Sequence, residues 1–164
     1  MKAAITGLFH VAVKTADLER TLRFYRDVMG LAEAPRPDFG YPGAWLAIPG
    51  PQGAGPAIVH VYAGGAALAA DAVVPSGTAA IDHVSLTATG YDAWRNRFDA
   101  AGLPWREFIV PGTFYWQLFV YDPSGVQLEL TFDARTEGGA APVIAQERRY
   151  RAGLSFFDPV GYPP

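Results

Sequence analysis

The chain has 164 residues, half of them apolar and only 18% charged, with a net charge of −3. That balance excludes a disordered chain and leaves no basic footprint for nucleic acid. The absence of cysteine removes disulfides, thiol catalysis, cysteine-type zinc sites and iron–sulfur clusters together, so metal or general-base chemistry falls to His10, His60, His83 and the acids.

Residues 7–13 form an apolar, partly β-branched run around His10 and predict a strand. Thr15 or Asp17 can cap the next element. Leu18, Leu22, Tyr25 and Met29 then recur at helical spacing up to a stop at Gly30, which predicts a helix of about three to four turns. A Pro-rich connection through Pro35 and Pro37 leads to a strand near 44–48, a Pro/Gly turn, and a strand over 58–62. Residues 39–70 contain no Asp, Glu, Lys or Arg. Pro42, Pro49, Pro51 and Pro56 nevertheless break them too often for a membrane span, and two buried strands are the better reading. The N-terminal apolar run is short and interrupted by His10, which argues against a signal peptide. The expected compartment is the cytoplasm, with no membrane partner.

The second half repeats this order. Residues 80–86 predict a strand around His83. Residues 91–101 predict a helix with Trp94 and Phe98 on one face, stopped by Gly102. Strands follow over 107–110, 115–121 and 126–132, the last two joined by the turn residues Asp122-Pro123-Ser124-Gly125. The halves align with few gaps. His10 pairs with His83, Gly30-Leu31 with Gly102-Leu103, Trp45 with Trp116, and His60 with Glu129.

Each half thus supplies two strands with one ionisable group among apolar neighbours: Phe9-His10-Val11, Val59-His60-Val61, Asp82-His83-Val84 and Leu128-Glu129-Leu130. Taken singly, a strand histidine is more often a satisfied core or surface residue than a ligand, and a carboxylate such as Glu129 on an alternating strand can face solvent. Jointly, all three histidines and one carboxylate occupy matched slots. Imidazole and carboxylate suit zinc, nickel, iron or manganese, and His10, His60, His83 and Glu129 are the candidate metal ligands.

These residues resemble the vicinal-oxygen-chelate superfamily, which includes glyoxalase I, methylmalonyl-CoA epimerase, extradiol dioxygenases, fosfomycin-resistance enzymes and bleomycin-binding proteins. The resemblance spans roughly 5–133. It is carried by His10, by the helix end from Phe24-Tyr25 to Met29-Gly30-Leu31, by Asp82-His83-Val84, and most of all by 122–130. It implies an α+β fold of two tandem βαβββ modules, about 5–70 and 79–133, forming an incomplete barrel around a metal-binding cavity. It also implies a divalent metal ion held by His10, His83 and Glu129. His60 stands where glyoxalase I has Glu and the epimerase has Gln, and is either a fourth ligand or a base beside the metal.

The shared chemistry of such sites is chelation of two adjacent substrate oxygens, with stabilisation of a developing anion. For lyase or isomerase chemistry Glu129 is the natural base, with His60 as the second candidate. For ring-cleaving dioxygenation the usual Tyr three residues before the Asp-Pro turn is Phe119 here, and no His lies between His83 and Glu129. Tyr115 or Tyr121 would have to substitute. Trp45, Tyr115, Gln117 and Phe119 are candidate substrate-binding residues, and Arg36 and Arg106 candidate anion contacts. A third reading is a non-catalytic protein that sequesters a small ligand, against which the four matched ionisable residues argue. The expected partners are a small-molecule substrate and a second copy of the chain in a homodimer. Residues 136–164 lie outside the resemblance. Tyr150, Phe156, Phe157 and Tyr162 are too apolar for a free tail, which predicts packing on the barrel or across a dimer.

Overall fold

The computed structural model describes residues 3–5, 7–51 and 53–163. The chain divides into two compact units, residues 1–75 and 76–164. The first contains β1 (Val11–Lys14), α1 (Leu18–Arg23), β2 (Ala32–Ala34), β3 (Gly43–Gly50) and β4 (Gly53–Tyr62). Its sheet order is β1-β4-β3-β2, with β1 parallel to β4 and the other pairs antiparallel. The second contains β5 (Val84–Thr87), α2 (Tyr91–Ala100), β6 (Trp105–Ile109), β7 (Tyr115–Tyr121) and β8 (Gln127–Asp133). Its order is β5-β8-β7-β6, with the same strand senses. The fold is α+β, two tandem βαβββ modules, each with an open four-stranded mixed sheet.

Strand periodicity sorts each sheet into two faces, because paired residues lie side by side and successive residues point to opposite sides. In the second unit Leu86, Leu130 and Leu118 form one cross-strand row, and Val84, Leu128, Val120 and Trp105 another. This apolar face meets α2, where Tyr91 sits edge-on to Trp116 and Phe132 with ring centroids 5.3 and 5.2 Å apart. In the first unit Val13, Val61 and Ala44 form the equivalent buried row. The opposite faces carry the chemistry.

Several local expectations need correction. The strands expected from residues 7 and 80 begin four residues later, at Val11 and Val84, so His10 and His83 stand at strand entrances rather than mid-strand. An apolar run does not make a ladder without a partner strand. Pairing to β4 is recorded only from Val11 onward, and Leu8 and Phe9 upstream are exposed. The first helix is α-helical only to Arg23 and widens into a π turn over Phe24–Val28, closed by Gly30 at φ +71°. Asp17 is its cap, accepting from the Arg20 N–H at 3.0 Å. The Pro-rich connection contains β2, an edge strand too short for alternation to register. Trp45 does not correspond to Trp116. Trp45 pairs with His60 as Phe119 pairs with Glu129, so Phe119 is its counterpart.

Residues 136–163 fold back on the second unit. The Tyr162 hydroxyl donates to the Tyr121 carbonyl at 2.7 Å, and the Tyr121 ring meets Phe156 and Phe157 at 4.7 and 5.2 Å. The Tyr150 N–H donates to the Glu107 carbonyl at 3.0 Å. Gly125, at φ +80°, admits this segment, since a Cβ there would come within 2.9 Å of the Phe157 ring.

Helix α2 is preceded by Gly90 at its N-cap, which has no side chain to cap it. Glu137 does so from 46 residues downstream of Tyr91, accepting the Gly90 and Tyr91 N–H groups at 2.9 and 2.8 Å. A carboxylate there satisfies two orphan donors and meets the positive end of the helix dipole. Glu137→Ala is expected to cost about 1 kcal/mol, read as a lower midpoint in denaturant titration with an unchanged slope.

Candidate metal and substrate site

In the first unit β4 carries His60, flanked in register by Ala12 on β1 and Trp45 on β3. The His60 ring is stacked on both faces. Trp45 lies at 4.5 Å with planes 14° apart, and His10 at 3.8 Å with planes 15° apart. Burial lowers the His60 pKa, and the neighbouring His10 and Arg36 add to the effect. His60 is therefore held as a neutral imidazole, the form that binds a metal or accepts a proton. His10 Nδ1 is buried with no hydrogen-bond partner. The Arg36 guanidinium lies over Phe39 and Tyr41 and donates to the Tyr41 carbonyl at 3.2 Å.

In the second unit one row crosses all four strands: Ser85, Glu129, Phe119 and Arg106. Glu129 is 5% exposed. Its Oε1 accepts from the Ser85 hydroxyl at 2.6 Å and from the Thr131 hydroxyl. Its Oε2 stands 3.1 Å from His83 Nε2. On the far side of the ring, His83 Nδ1 meets Asp82 Oδ1 at 2.7 Å. Hydrogen bonds from His83 and Tyr150 hold the Asp82 pKa below the ordinary range, so Asp82 is an acceptor and Nδ1 carries the proton. The other ring nitrogen, Nε2, then faces a carboxylate oxygen. That 3.1 Å contact is satisfied by a proton on Nε2 or by a cation between the two atoms.

Within the second unit the His83–Glu129 pair is a donor set of the kind a divalent metal accepts, imidazole with carboxylate. Within the first unit the buried, unpartnered His10 Nδ1 is a free donor of the same kind. The structure pairs His10 with His60 and His83 with Glu129. Among the described residues, no three His, Asp or Glu side chains form a ready-made metal group. Gln117 lies one row beyond Phe119, opposite Thr131. Tyr115 lies a further row out, opposite Asp133, and is 48% exposed.

Residues 7–130 match the family described as the Glyoxalase/Bleomycin resistance protein/Dioxygenase superfamily. The chain belongs to that superfamily. Its members include enzymes and typically use divalent metal ions. Solved structures share the fold. A glyoxalase family protein from Bacillus anthracis is 20% identical with a TM-score of 0.62, covering 81% of this chain and 99% of its own. The fosfomycin resistance protein FosX from Listeria monocytogenes is 16% identical with a TM-score of 0.58, covering 79% and 94%. Lactoylglutathione lyase from Agrobacterium tumefaciens is 19% identical with a TM-score of 0.58, covering 82% and 98%. No protein with a curated description matches the chain. Among the described residues, no helix is long and apolar enough to cross a membrane.

Sequence reasoning missed four members of this superfamily chain's polar face. Asp82 is adjacent to His83, and Ser85 and Thr131 lie two residues from His83 and Glu129, so strand phase could have found them. Tyr150 carries no local signal. Its ring stacks on Phe119 at 3.6 Å with planes 6° apart, and its hydroxyl donates to Asp82 Oδ1 at 3.0 Å. Gln127 Nε2 donates to the Tyr150 hydroxyl at 3.2 Å, and the Tyr121 hydroxyl donates to Gln127 Oε1 at 2.6 Å. Tyr121 is thereby committed to the tail and is no free acid.

Proposed function

We propose that the chain is a divalent-metal-dependent enzyme of the glyoxalase or epimerase type, a lyase or isomerase acting on a small substrate with two adjacent oxygens. His10, His60, His83 and Glu129 are the proposed ligands, the metal being zinc, nickel, iron or manganese. The observation that supports this best is Glu129, a buried carboxylate with one oxygen fixed by two hydroxyls and the other turned toward His83. When bound, the metal supplies Lewis-acid stabilisation of the charge that develops on substrate oxygen. The chain's own groups do the rest. Glu129 accepts a proton α to a carbonyl through Oε2. Ser85 and Thr131 hold Oε1 and fix the direction of approach. His60, neutral and clamped between two rings, is the second base. Gln117, Tyr115 and Trp45 are the proposed substrate-contacting residues, whereas Phe119, 1% exposed beneath the Tyr150 ring, is closed to a substrate.

A ring-cleaving dioxygenase is the second reading, favoured by one observation. The Tyr150 phenol lies directly on Phe119, the position where the expected tyrosine is missing. The test is metal analysis of protein purified without added metal, repeated for His10→Ala and Glu129→Ala, with turnover assays on glutathione with α-oxo aldehydes and on catechols. Stoichiometric nickel or zinc with lyase turnover supports the first reading. Iron with oxygen uptake on catechols supports the second. No metal after reconstitution overturns both and leaves a non-catalytic binder. The proposal includes a cytoplasmic homodimer, with the oligomeric state checked by sedimentation equilibrium.

Asp82 fixes the tautomer of His83, and outer partners of this kind are worth about 10–100-fold in metal affinity. Asp82→Asn is therefore expected to weaken metal binding by that factor with little change in melting temperature, measured by competition with a chromophoric chelator.

A further inference from the structure

Among the described residues Arg23, Arg26, Arg95, Arg135 and Arg148 each reach a carboxylate within 4.0 Å. Arg106, Arg149 and Arg151 have no such ion pair there, and all three line one hollow of about 230 Å³. Phe156 and Ser155 complete much of its wall. Glu147 also lines it, but forms no ion pair with the three among the described residues.

The arrangement has a local cause. Residues 149–151 run alongside β6, bridged at Arg149 to Glu107. In an extended segment Arg149 and Arg151 project to one side and Tyr150 to the other. Tyr150 goes down onto Phe119, which leaves both guanidiniums at the hollow. Arg106 approaches from β6, half-buried, its guanidinium 4.6 Å over the Phe156 ring and bonded to the Trp105 carbonyl at 2.9 Å. Burial, and then the charge of Arg148, push its pKa down. Three cations against the one carboxylate of Glu147 leave an excess of positive charge in the hollow, and a guanidinium fork matches an oxyanion.

We propose that this hollow binds an oxyanion, a phosphoryl or carboxylate group, as the acidic end of the substrate whose oxygenated head meets Glu129. The second half of that statement rests on the function proposed above. Arg106 shares its cross-strand row with Glu129, two strands away, which is about 10 Å. The substrate class is therefore a small molecule with an acidic group at the end away from its chelating oxygens, long enough to pass the Tyr150 ring that lies on Phe119 between them. Arg149 and Arg151 lie beyond residues 7–130, so this chain's own C-terminal segment builds the subsite.

The test is calorimetric titration with inorganic phosphate and with acetate, against chloride at equal ionic strength. Wild type is expected to bind one equivalent of phosphate, acetate or both more tightly than chloride. A preference for phosphate assigns a phosphoryl end, and a preference for acetate a carboxylate. Arg106→Gln, which keeps the stem over Phe156, and the pair Arg149→Ala with Arg151→Ala are each expected to weaken binding at least tenfold. Arg135→Ala and Glu129→Gln are expected to leave it unchanged. No discrimination from chloride, or equal affinity in the arginine variants, overturns the site. Retained phosphate binding in a protein that takes no metal and turns over nothing overturns the substrate assignment alone.

Discussion

Glu129→Gln is expected to lower turnover by about 10²–10⁴-fold, the range for losing a positioned general base, and to abolish stoichiometric metal binding. The substitution is chosen because it leaves the surroundings in place. A glutamine carbonyl can take the Oε1 position and still accept from Ser85 and Thr131, while its amide donates toward His83 Nε2. Leu128 and Leu130 on either side face the apolar layer and are untouched. Melting temperature should therefore move little while metal affinity falls. Glu129→Ala removes the acceptor of two hydroxyls as well, so it should lose both metal and some stability. Calorimetric metal titration and thermal melts on the two variants separate these effects. Full metal occupancy in Glu129→Gln would remove Glu129 from the ligand set.

How much of this was legible in the sequence depended on how local each signal was. The duplicated βαβββ order and the turn at 122–125 rest on short-range chemistry. In that turn Asp122 Oδ1 accepts the Ser124 and Val126 N–H groups, and Gly125 supplies the positive φ. The pairing of His60 with Glu129 rests on strand phase and survives as equivalent register. Matching Trp45 to Trp116 follows residue type, whereas the fold follows register. The sheet sets Trp45 beside His60 and Phe119 beside Glu129, whereas Trp116 belongs to the face that meets α2. Apolar content around His10 and His83 predicts strands that enclose them, but strand ends are decided by a partner's reach. The network through Asp82, Gln127 and Tyr150 was invisible for another reason. Tyr150 lies 31 residues past Phe119, and its stacking is set by where the tail returns, which no window of sequence contains.

That returning tail yields the second large expectation. Truncation after Gly138 is expected to destabilise the protein by at least about 3 kcal/mol, lowering the melting temperature by roughly 6–12 °C for a chain of this size. The bound comes from what the cut uncovers. Phe119 and Tyr121 are 1% and 8% exposed and lose their cover of Tyr150, Phe156 and Phe157. Each buried large apolar side chain is worth about 1.5–3 kcal/mol. Ordering the tail itself costs about 1–2 kcal/mol per residue, so its own contacts are largely offset and the newly exposed aromatics dominate the net loss. Glu137 is retained in this truncation, so the cap on α2 does not contribute. Tyr150→Phe then separates cover from positioning. It keeps the ring on Phe119 but removes the donor to Asp82, and should cost only about 0.5–1.5 kcal/mol. Since Asp82 keeps its bond to His83, metal affinity should fall less in Tyr150→Phe than in Asp82→Asn. An unchanged melting temperature in the truncated protein would mean that Phe119 and Tyr121 find other cover, and that the tail is not part of the fold it lies on.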